Sequence, residues 1–414
     1  MKILHVITRL ILGGAQQNTV LSCKAQVEAG NEVHLAYGPI YGPEGSLLEE
    51  AKASGAVLHE VPTLVREVSP VKDWRCRRAL TELMKSVQPD VIHTHSSKAG
   101  IVGRASGWKV RRDPELEAAW DRARRNGWRL LMRSNPRDWR PQVVHTVHGL
   151  PWNEEMSGWK RRLYVWLERY AAKRCDRLIA ISPAMVDAFV GQGIAPREKF
   201  VVIPSGIDVE TFFGQDLQDG QEGKLRVGLV ARLDPLKGHR DLIAVLPGLV
   251  ERFPELEIVF VGDGFDAEGV RAAARDAGVE ERIEWRGLVP LEAMPGVYRG
   301  LDVVVLPSYQ EGQSRVLAEA LLGGCGIVGY YVGGIPSVCV DGQTGKLVPV
   351  GDTDALAEAI AWMLEHPAER AAMVEWGRAL VQERFSAEAM NAAILKLYDD
   401  IRQEQIEKLV GGMR

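Results

Sequence analysis

The sequence predicts an α/β protein of two doubly wound domains facing each other across a cleft. Three observations predict it. Short Val/Ile-rich runs alternate with helix-like segments through the first half, as buried parallel strands and their crossovers do. The alternation stops in the polar stretch Asp208–Lys224, and then restarts. The 414 residues exceed one usual domain and suit two.

Taken in order, the first-half strands are expected at Lys2–Thr8, Glu32–Gly38, Val57–Pro62, Val91–Ser96, Val143–Gly149, Leu178–Ser182 and Phe200–Ser205. Helix patterns such as Gln16–Ala29 and Trp74–Val87 lie between them. Residues 208–224 are rich in Asp, Gln, Glu and Gly and read as a linker. The second set of strands is expected at Leu225–Val230, Glu257–Gly262, Ile283–Gly287, Val303–Pro307, Ile327–Val332 and Lys346–Val350. A last helix runs from about Ser386 to about Leu409. The boundaries are therefore 1–207, a linker 208–224, 225–385, and a terminal helical segment 386–414.

Composition removes several function classes. A net charge of −4 gives no reason to expect nucleic acid as a partner. Cys23, Cys76, Cys175, Cys325 and Cys339 are dispersed, with no C-x-x-C pair. They read as reduced thiols of a cytoplasmic protein, not a disulfide framework or zinc site. The opening apolar run is short and leads into a glycine loop, so it reads as a strand and not a signal peptide. No apolar run is long enough to span a bilayer, so membrane contact is expected to be peripheral.

The most informative stretch is Pro307–Ala320. It follows an apolar run and leads into a helix, placing Glu311 on a loop and Glu319 on the helix. Ligands of open α/β sheets bind beyond the carboxyl ends of strands, so two acids there point to hydroxyl recognition or acid/base chemistry. Solvated acids near a helix start are the plain alternative, and a glycosidase pair a third. Upstream, Arg232 and Lys237 follow the strand Leu225–Val230. A guanidinium fork and an ammonium beside two carboxylates suit a ligand with a phosphate part and a sugar part.

The Glu-x7-Glu spacing, the Arg-x4-Lys pair and the N-terminal Gly13-Gly14-Ala15-Gln16 loop resemble family 4 of the glycosyltransferases, retaining enzymes of GT-B fold. The resemblance runs from about residue 1 to about residue 400. It implies that Arg232 and Lys237 clamp the donor diphosphate and stabilise it as it leaves, in place of a metal ion. It implies that Glu311 faces the transferred sugar, Glu319 the ribose and His148 the donor sugar or acceptor. Gly14 would lie near the donor phosphates or the acceptor, and Gly312, Gln313 and Ser314 would line the donor pocket. The terminal helix would cross back onto the first domain. The implied reaction moves a sugar from a nucleotide-sugar, a UDP-sugar, to a hydroxyl of a glycan or lipid-linked acceptor, without metal or cofactor. The phrases His93-Thr94-His95-Ser96-Ser97-Lys98-Ala99-Gly100 and His145-Thr146-Val147-His148-Gly149 are similar to those of bacterial members that build cell-surface polysaccharides.

Other features are weaker. Gly262-Asp263-Gly264 follows a strand, and Asp263 either lines the nucleotide pocket or makes a turn. His93 and His95 share one strand face and read as structural or acceptor-side residues, with no third metal ligand evident. Gly13, Ser97 and Lys98 are acceptor-side candidates. Asp352 precedes a helix and reads as its cap, not as part of an Asp-x-Asp metal motif. Residues 107–141 look inserted and carry Trp108, Trp120, Trp128 and Trp139, with ten Lys/Arg against five Asp/Glu. With the Trp159–Arg174 segment they suit contact with an anionic membrane at its inner face, a partner contact, an ordinary packed subdomain, or plain solvated basic faces. Tyr330, Tyr331 and Ser337 depart from the family's usual small and acidic residues, which leaves the donor sugar open. Two rivals share the fold: a sugar-nucleotide epimerase and a non-catalytic nucleotide-sugar-binding protein.

Overall fold

The computed structural model describes residues 1–40, 45–114, 140–152, 156–212 and 224–411. The chain forms two compact units, Met1–Gly206 with Ala387–Arg414, and Ile207–Ser386.

Unit 1 holds a seven-stranded parallel sheet in the order β3-β2-β1-β4-β5-β6-β7. Its strands are β1 (Lys2–Ile7), β2 (Glu32–Tyr37), β3 (Val57–Glu60), β4 (Val91–His95), β5 (Gln142–Val147), β6 (Arg177–Ala180) and β7 (Phe200–Val202). Its helices are α1 (Gly14–Glu28), α2 (Leu48–Ala53), α3 (Pro70–Val87), α4 (Ser97–Arg111), α5 (Gly158–Ala172), α6 (Pro183–Gly191) and the terminal α13 (Ala387–Gly411).

Unit 2 holds a six-stranded parallel sheet in the order β10-β9-β8-β11-β12-β13. Its strands are β8 (Leu225–Val230), β9 (Leu256–Val261), β10 (Ile283–Gly287), β11 (Val303–Leu306), β12 (Gly326–Tyr330) and β13 (Lys346–Val348). The helices α7 (His239–Arg252), α8 (Ala267–Asp276), α9 (Met294–Arg299), α10 (Arg315–Gly323), α11 (Thr353–Glu365) and α12 (Pro367–Phe385) flank it.

The strands alternate their buried faces. In β11, Val303 and Val305 pack with Leu242, Leu246 and Ile360 of α7 and α11. Val304 and Leu306 pack on the opposite side with Leu317, Leu321 and Val381 of α10 and α12. In unit 1, Ile3, Val91, Val144 and Ile179 pack with Met390, Ile394, Leu397 and Tyr398 of α13. On the other face α4 lies unusually close. A Cβ on Gly103 would meet Thr94 Cγ2 at 2.7 Å, and one on Gly100 would meet His145 Cε1 at 2.4 Å. These small residues let the helix approach the sheet.

Most expected strands end sooner than the sequence implied, because the last residues of each run leave the ladder for the strand-end loops. Thr8, Ser96 and His148 are such residues. Helix α3 begins at Pro70, not at Trp74. Ser69 caps it, its side chain accepting from the Lys72 N–H, and Pro70 occupies the first turn, where a missing N–H costs nothing. The supposed insertion 107–141 begins inside α4, and residues 115–139 lie outside the described ones. Of the 208–224 stretch, Val209–Phe212 form a 3-10 turn and residues 213–223 lie outside the described ones. Among the described residues, no helix is long and apolar enough to cross a membrane.

Candidate active site

Each sheet reverses its winding once, between β1 and β4 in unit 1 and between β8 and β11 in unit 2. Such a switch point opens a crevice at the carboxyl ends of the two strands. The candidate residues collect at these two points. Gly13 and Gly14 follow β1, Ser97 and Lys98 follow β4, and His148 follows the neighbouring β5. Arg232 and Lys237 follow β8, and Glu311, Gly312, Gln313 and Ser314 follow β11.

In unit 2, Asp234 organises the cations. It caps the 3-10 turn Pro235–Lys237, accepting from the Leu236 N–H at 3.0 Å. Its other oxygen accepts from Arg232 Nη2 at 2.9 Å. The Arg232 side chain is 67% exposed, so its guanidinium is open to a ligand. Lys237 Nζ donates to Glu311 Oε2 at 2.6 Å, with both side chains mostly buried. Ser314 caps α10, accepting from the Leu317 N–H at 3.3 Å, and Gln313 is buried beside it. The loop is held from below by Gly333, at φ +53°, where a Cβ would fall 1.8 Å from the Glu311 carbonyl oxygen.

Glu319 lies one helical turn into α10. It accepts from the Tyr298 hydroxyl at 3.0 Å and from Arg315 Nη2 at 3.4 Å. Burial raises the pKa of Tyr298 well above its usual value, and the Glu319 carboxylate adds to this. Tyr298 and Arg315 were not foreseen, and only the i,i+4 spacing of Arg315 to Glu319 gave a signal. Asp263 is exposed and accepts from the Gly264 N–H at 2.7 Å, while its carbonyl accepts from the Leu233 N–H at 3.2 Å. It thus makes a turn and joins the loops after β8 and β9. Asp352 caps α11 through the Ala355 N–H at 2.9 Å.

The two tyrosines that depart from the family pattern have different fates. Tyr331 is exposed, whereas Tyr330 is fully buried. The hydroxyls of Tyr330 and Tyr309 both donate to Asp241 Oδ2, at 2.6 and 2.7 Å. The bond to Asp241, with burial, pushes the Tyr309 pKa up to about 12. Asp241 of α7 carried no sequence signal of its own.

In unit 1, Gly13 has extended backbone and precedes α1. Ser96 has φ +61° and ψ +157°, a region that side chains rarely adopt. Its hydroxyl pairs with that of Thr8 at 2.7 Å. Lys98 forms an ion pair with Asp73 and donates to the Glu67 carbonyl at 2.8 Å, so its ammonium ties α4 to α3 and the loop before it. His148 Nε2 lies 3.0 Å from His95 Nδ1. His95 Nε2 lies 2.9 Å from His5 Nδ1, and His5 Nε2 lies 2.8 Å from Gln26 Oε1. His93 bonds the Tyr398 hydroxyl at 2.6 Å and Thr146 at 2.7 Å. The third imidazole beside His93 and His95, absent from the sequence reading, is therefore His5 of β1. Ring nitrogens of the three lie within 4.8 Å of one another. Each already has hydrogen-bond partners, so the arrangement fits a polar network better than a set of open metal ligands. Burial lowers the pKa of His5 to about 4, against a smaller opposing effect of Gln26. It lowers those of His93, His95 and His145 well below the usual value, with neighbouring cations and imidazoles adding to this.

The comparisons agree with this geometry. Residues 218–380 match the model for glycosyl transferases group 1, and residues 13–206 the model for a glycosyl transferase 4-like domain. The chain is 28% identical over 314 residues to the Escherichia coli UDP-Gal:alpha-D-GlcNAc-diphosphoundecaprenol alpha-1,3-galactosyltransferase, covering 72% of this chain and 73% of that one. It is 34% identical over 215 residues to the phosphatidyl-myo-inositol mannosyltransferase of Mycolicibacterium smegmatis, covering 51% of this chain and 55% of that one. The crystal structure of Anabaena HepE in complex with UDP shares the fold. Its TM-score is 0.75 at 20% identity, over 97% of this chain and 100% of that one. Two family models that between them span most of the chain, and two parallel-sheet units of GT-B type, identify the chain as a member of the group 1, family 4 glycosyltransferases.

Proposed function

We propose that this glycosyltransferase moves a sugar from a UDP-sugar to a hydroxyl of a lipid-linked or glycan acceptor of the cell envelope, with retention of configuration. The observation that carries the reading is the joint placement of Arg232, Lys237 and Glu311 at the switch point of the second sheet. In this reading Arg232 and Lys237 meet the diphosphate, and no metal is needed. Charge builds on that diphosphate as it departs, so fixed cations there stabilise the transition state more than the ground state. Glu319 accepts from the ribose, and Glu311 and His148 align the sugar. Gly312, Gln313 and Ser314 in unit 2 and Gly14 in unit 1 serve the donor, and Gly13, Ser97 and Lys98 serve the acceptor. The UDP-sugar donor and diphosphoundecaprenol-linked acceptor of the Escherichia coli relative, and the UDP bound by HepE, support this choice of substrates.

The same reading places the enzyme at the inner face of the membrane. Trp159, Leu163 and Trp166 are exposed along α5, at spacings that put them on one face, and Lys160, Arg161 and Arg162 accompany them. An exposed aromatic stripe among cations suits an anionic lipid surface. Salt-sensitive flotation with anionic liposomes is expected. Flotation that is absent, or unchanged in Trp159→Ala/Trp166→Ala, would remove this part of the reading.

Calorimetry with UDP-, GDP- and ADP-sugars in EDTA tests the donor site. One UDP-sugar is expected to bind wild type, with binding lost in Arg232→Ala. Preference for another base, or a strict metal requirement, would overturn the assignment.

A further inference from the structure

The buried histidines of unit 1 form an ordered chain whose direction can be worked out atom by atom. Gln26 Oε1 can only accept, so His5 must carry its proton on Nε2, 2.8 Å away. The His5 Nδ1 is then a lone pair, and His95 must donate to it from Nε2 at 2.9 Å. That leaves His95 Nδ1 as an acceptor, and His148 must donate to it from Nε2 at 3.0 Å. The Gln26 amide presents its oxygen, not its nitrogen, to His5, and that orientation fixes the direction of the whole chain.

We infer that Gln26, His5 and His95 are positioning residues that hold His148 as its Nε2–H tautomer, in which Nδ1 can act only as an acceptor. The chain runs from α1, through β1 and β4, to the residue just beyond β5. Gln26, His5 and His95 are fully buried and His148 is half-buried. Low dielectric strengthens such a network, and a single tautomer at its outer end follows from the acceptor fixed at its inner end. The low pKa of His5 fits a ring that stays neutral, as the alternation of donors and acceptors needs. The inference rests on reading His148 as an active-site residue, but its test does not.

The test is the ¹⁵N spectrum of histidine-labelled full-length protein without ligand, with the His148 signals assigned by difference from His148→Gln. Wild type is expected to show His148 as Nε2–H. Gln26→Met keeps the shape and removes the acceptor. It is expected to shift the tautomer ratio at His148 by about three- to tenfold, the worth of one ordinary hydrogen bond. Gln26→Glu restores an acceptor oxygen and is expected to restore the wild-type ratio. If Gln26→Met does not fold, His95→Phe breaks the chain one ring further out and is read the same way. A His148 carrying its proton on Nδ1, a ratio unchanged in the broken chain, or a stoichiometric metal ion on His5, His93 and His95 would each overturn the proposal.

Discussion

Lys237 and Glu311, 74 residues apart, meet at 2.6 Å between the loops that follow β8 and β11. A cation meant for a diphosphate thus already holds a carboxylate partner. An arriving phosphate must share Lys237 with Glu311 and feels the carboxylate's repulsion. Removing that negative charge should therefore favour the bare nucleotide while harming the sugar step. Glu311→Gln is expected to bind UDP about three- to tenfold more tightly and to turn over at least about a hundredfold more slowly. Lys237→Ala is expected to weaken UDP about ten- to a hundredfold, the worth of a hydrogen bond to a charged group. Calorimetry with UDP, beside product assays, checks both; Glu311→Gln binding UDP no more tightly than wild type would separate Glu311 from the phosphate.

Arg104 and Glu168 form a buried ion pair between α4 and α5, at 2.7 Å and with both side chains almost wholly shielded. Arg104 Nε also donates to the Gly100 carbonyl at 2.8 Å. Removing one partner strands the other charge in low dielectric. Glu168→Ala is expected to cost about 3–5 kcal/mol, whereas Arg104→Met with Glu168→Leu is expected to recover most of the loss. Urea unfolding followed by hydrogen exchange in α4 reads the difference.

The sheets were legible in the sequence because parallel strands buried on both faces must be apolar, and Val303–Leu306 or Leu225–Val230 have few other uses. The motif residues were legible because loops at strand ends carry chemistry. What stayed hidden depends on contacts between distant strands. Alternation put His93 and His95 on one face of β4, but nothing local says that β1 lies beside β4 in the register His5 opposite His93. Arg104 looks like an ordinary polar helix residue until the Gly100–Gly103 stripe draws α4 onto the sheet. Tyr330 was visible as a departure from the family pattern. Its partner, Asp241, comes from a helix 89 positions earlier in the chain, where no pattern could mark it.

Gly333 joins backbone conformation to the site. Its φ of +53° disfavours any side chain, and a Cβ would sit 1.8 Å from the Glu311 carbonyl oxygen. Gly333→Ala must therefore move the loop that carries Glu311. The expected result is a stability loss of more than about 1 kcal/mol together with loss of donor binding. A variant that keeps wild-type donor affinity would show that the loop relaxes without consequence.

Acid should loosen unit 1 through its buried imidazoles. His5 has a pKa near 4 in the folded protein against 6.5 when free, and the cause is burial. His93, His95 and His145 shift in the same direction. A histidine whose pKa is depressed by folding binds more protons when unfolded, so stability rises with pH through the window between the two values. It is at its full value above about pH 6.5 and is lost as pH falls towards 4. At pH 5, His5 alone accounts for about 2 kcal/mol of that loss. Unit 2 has His239, also lowered to about 4 by burial, and thus a shallower dependence. Hydrogen exchange resolved along the chain between pH 7 and 5 is expected to show β1, β4 and β5 losing protection before β8 and β11. In His5→Gln the part due to His5 is expected to vanish, leaving a flatter slope around a lower plateau. Equal slopes in wild type and His5→Gln would mean that His5 does not remain neutral in the folded protein.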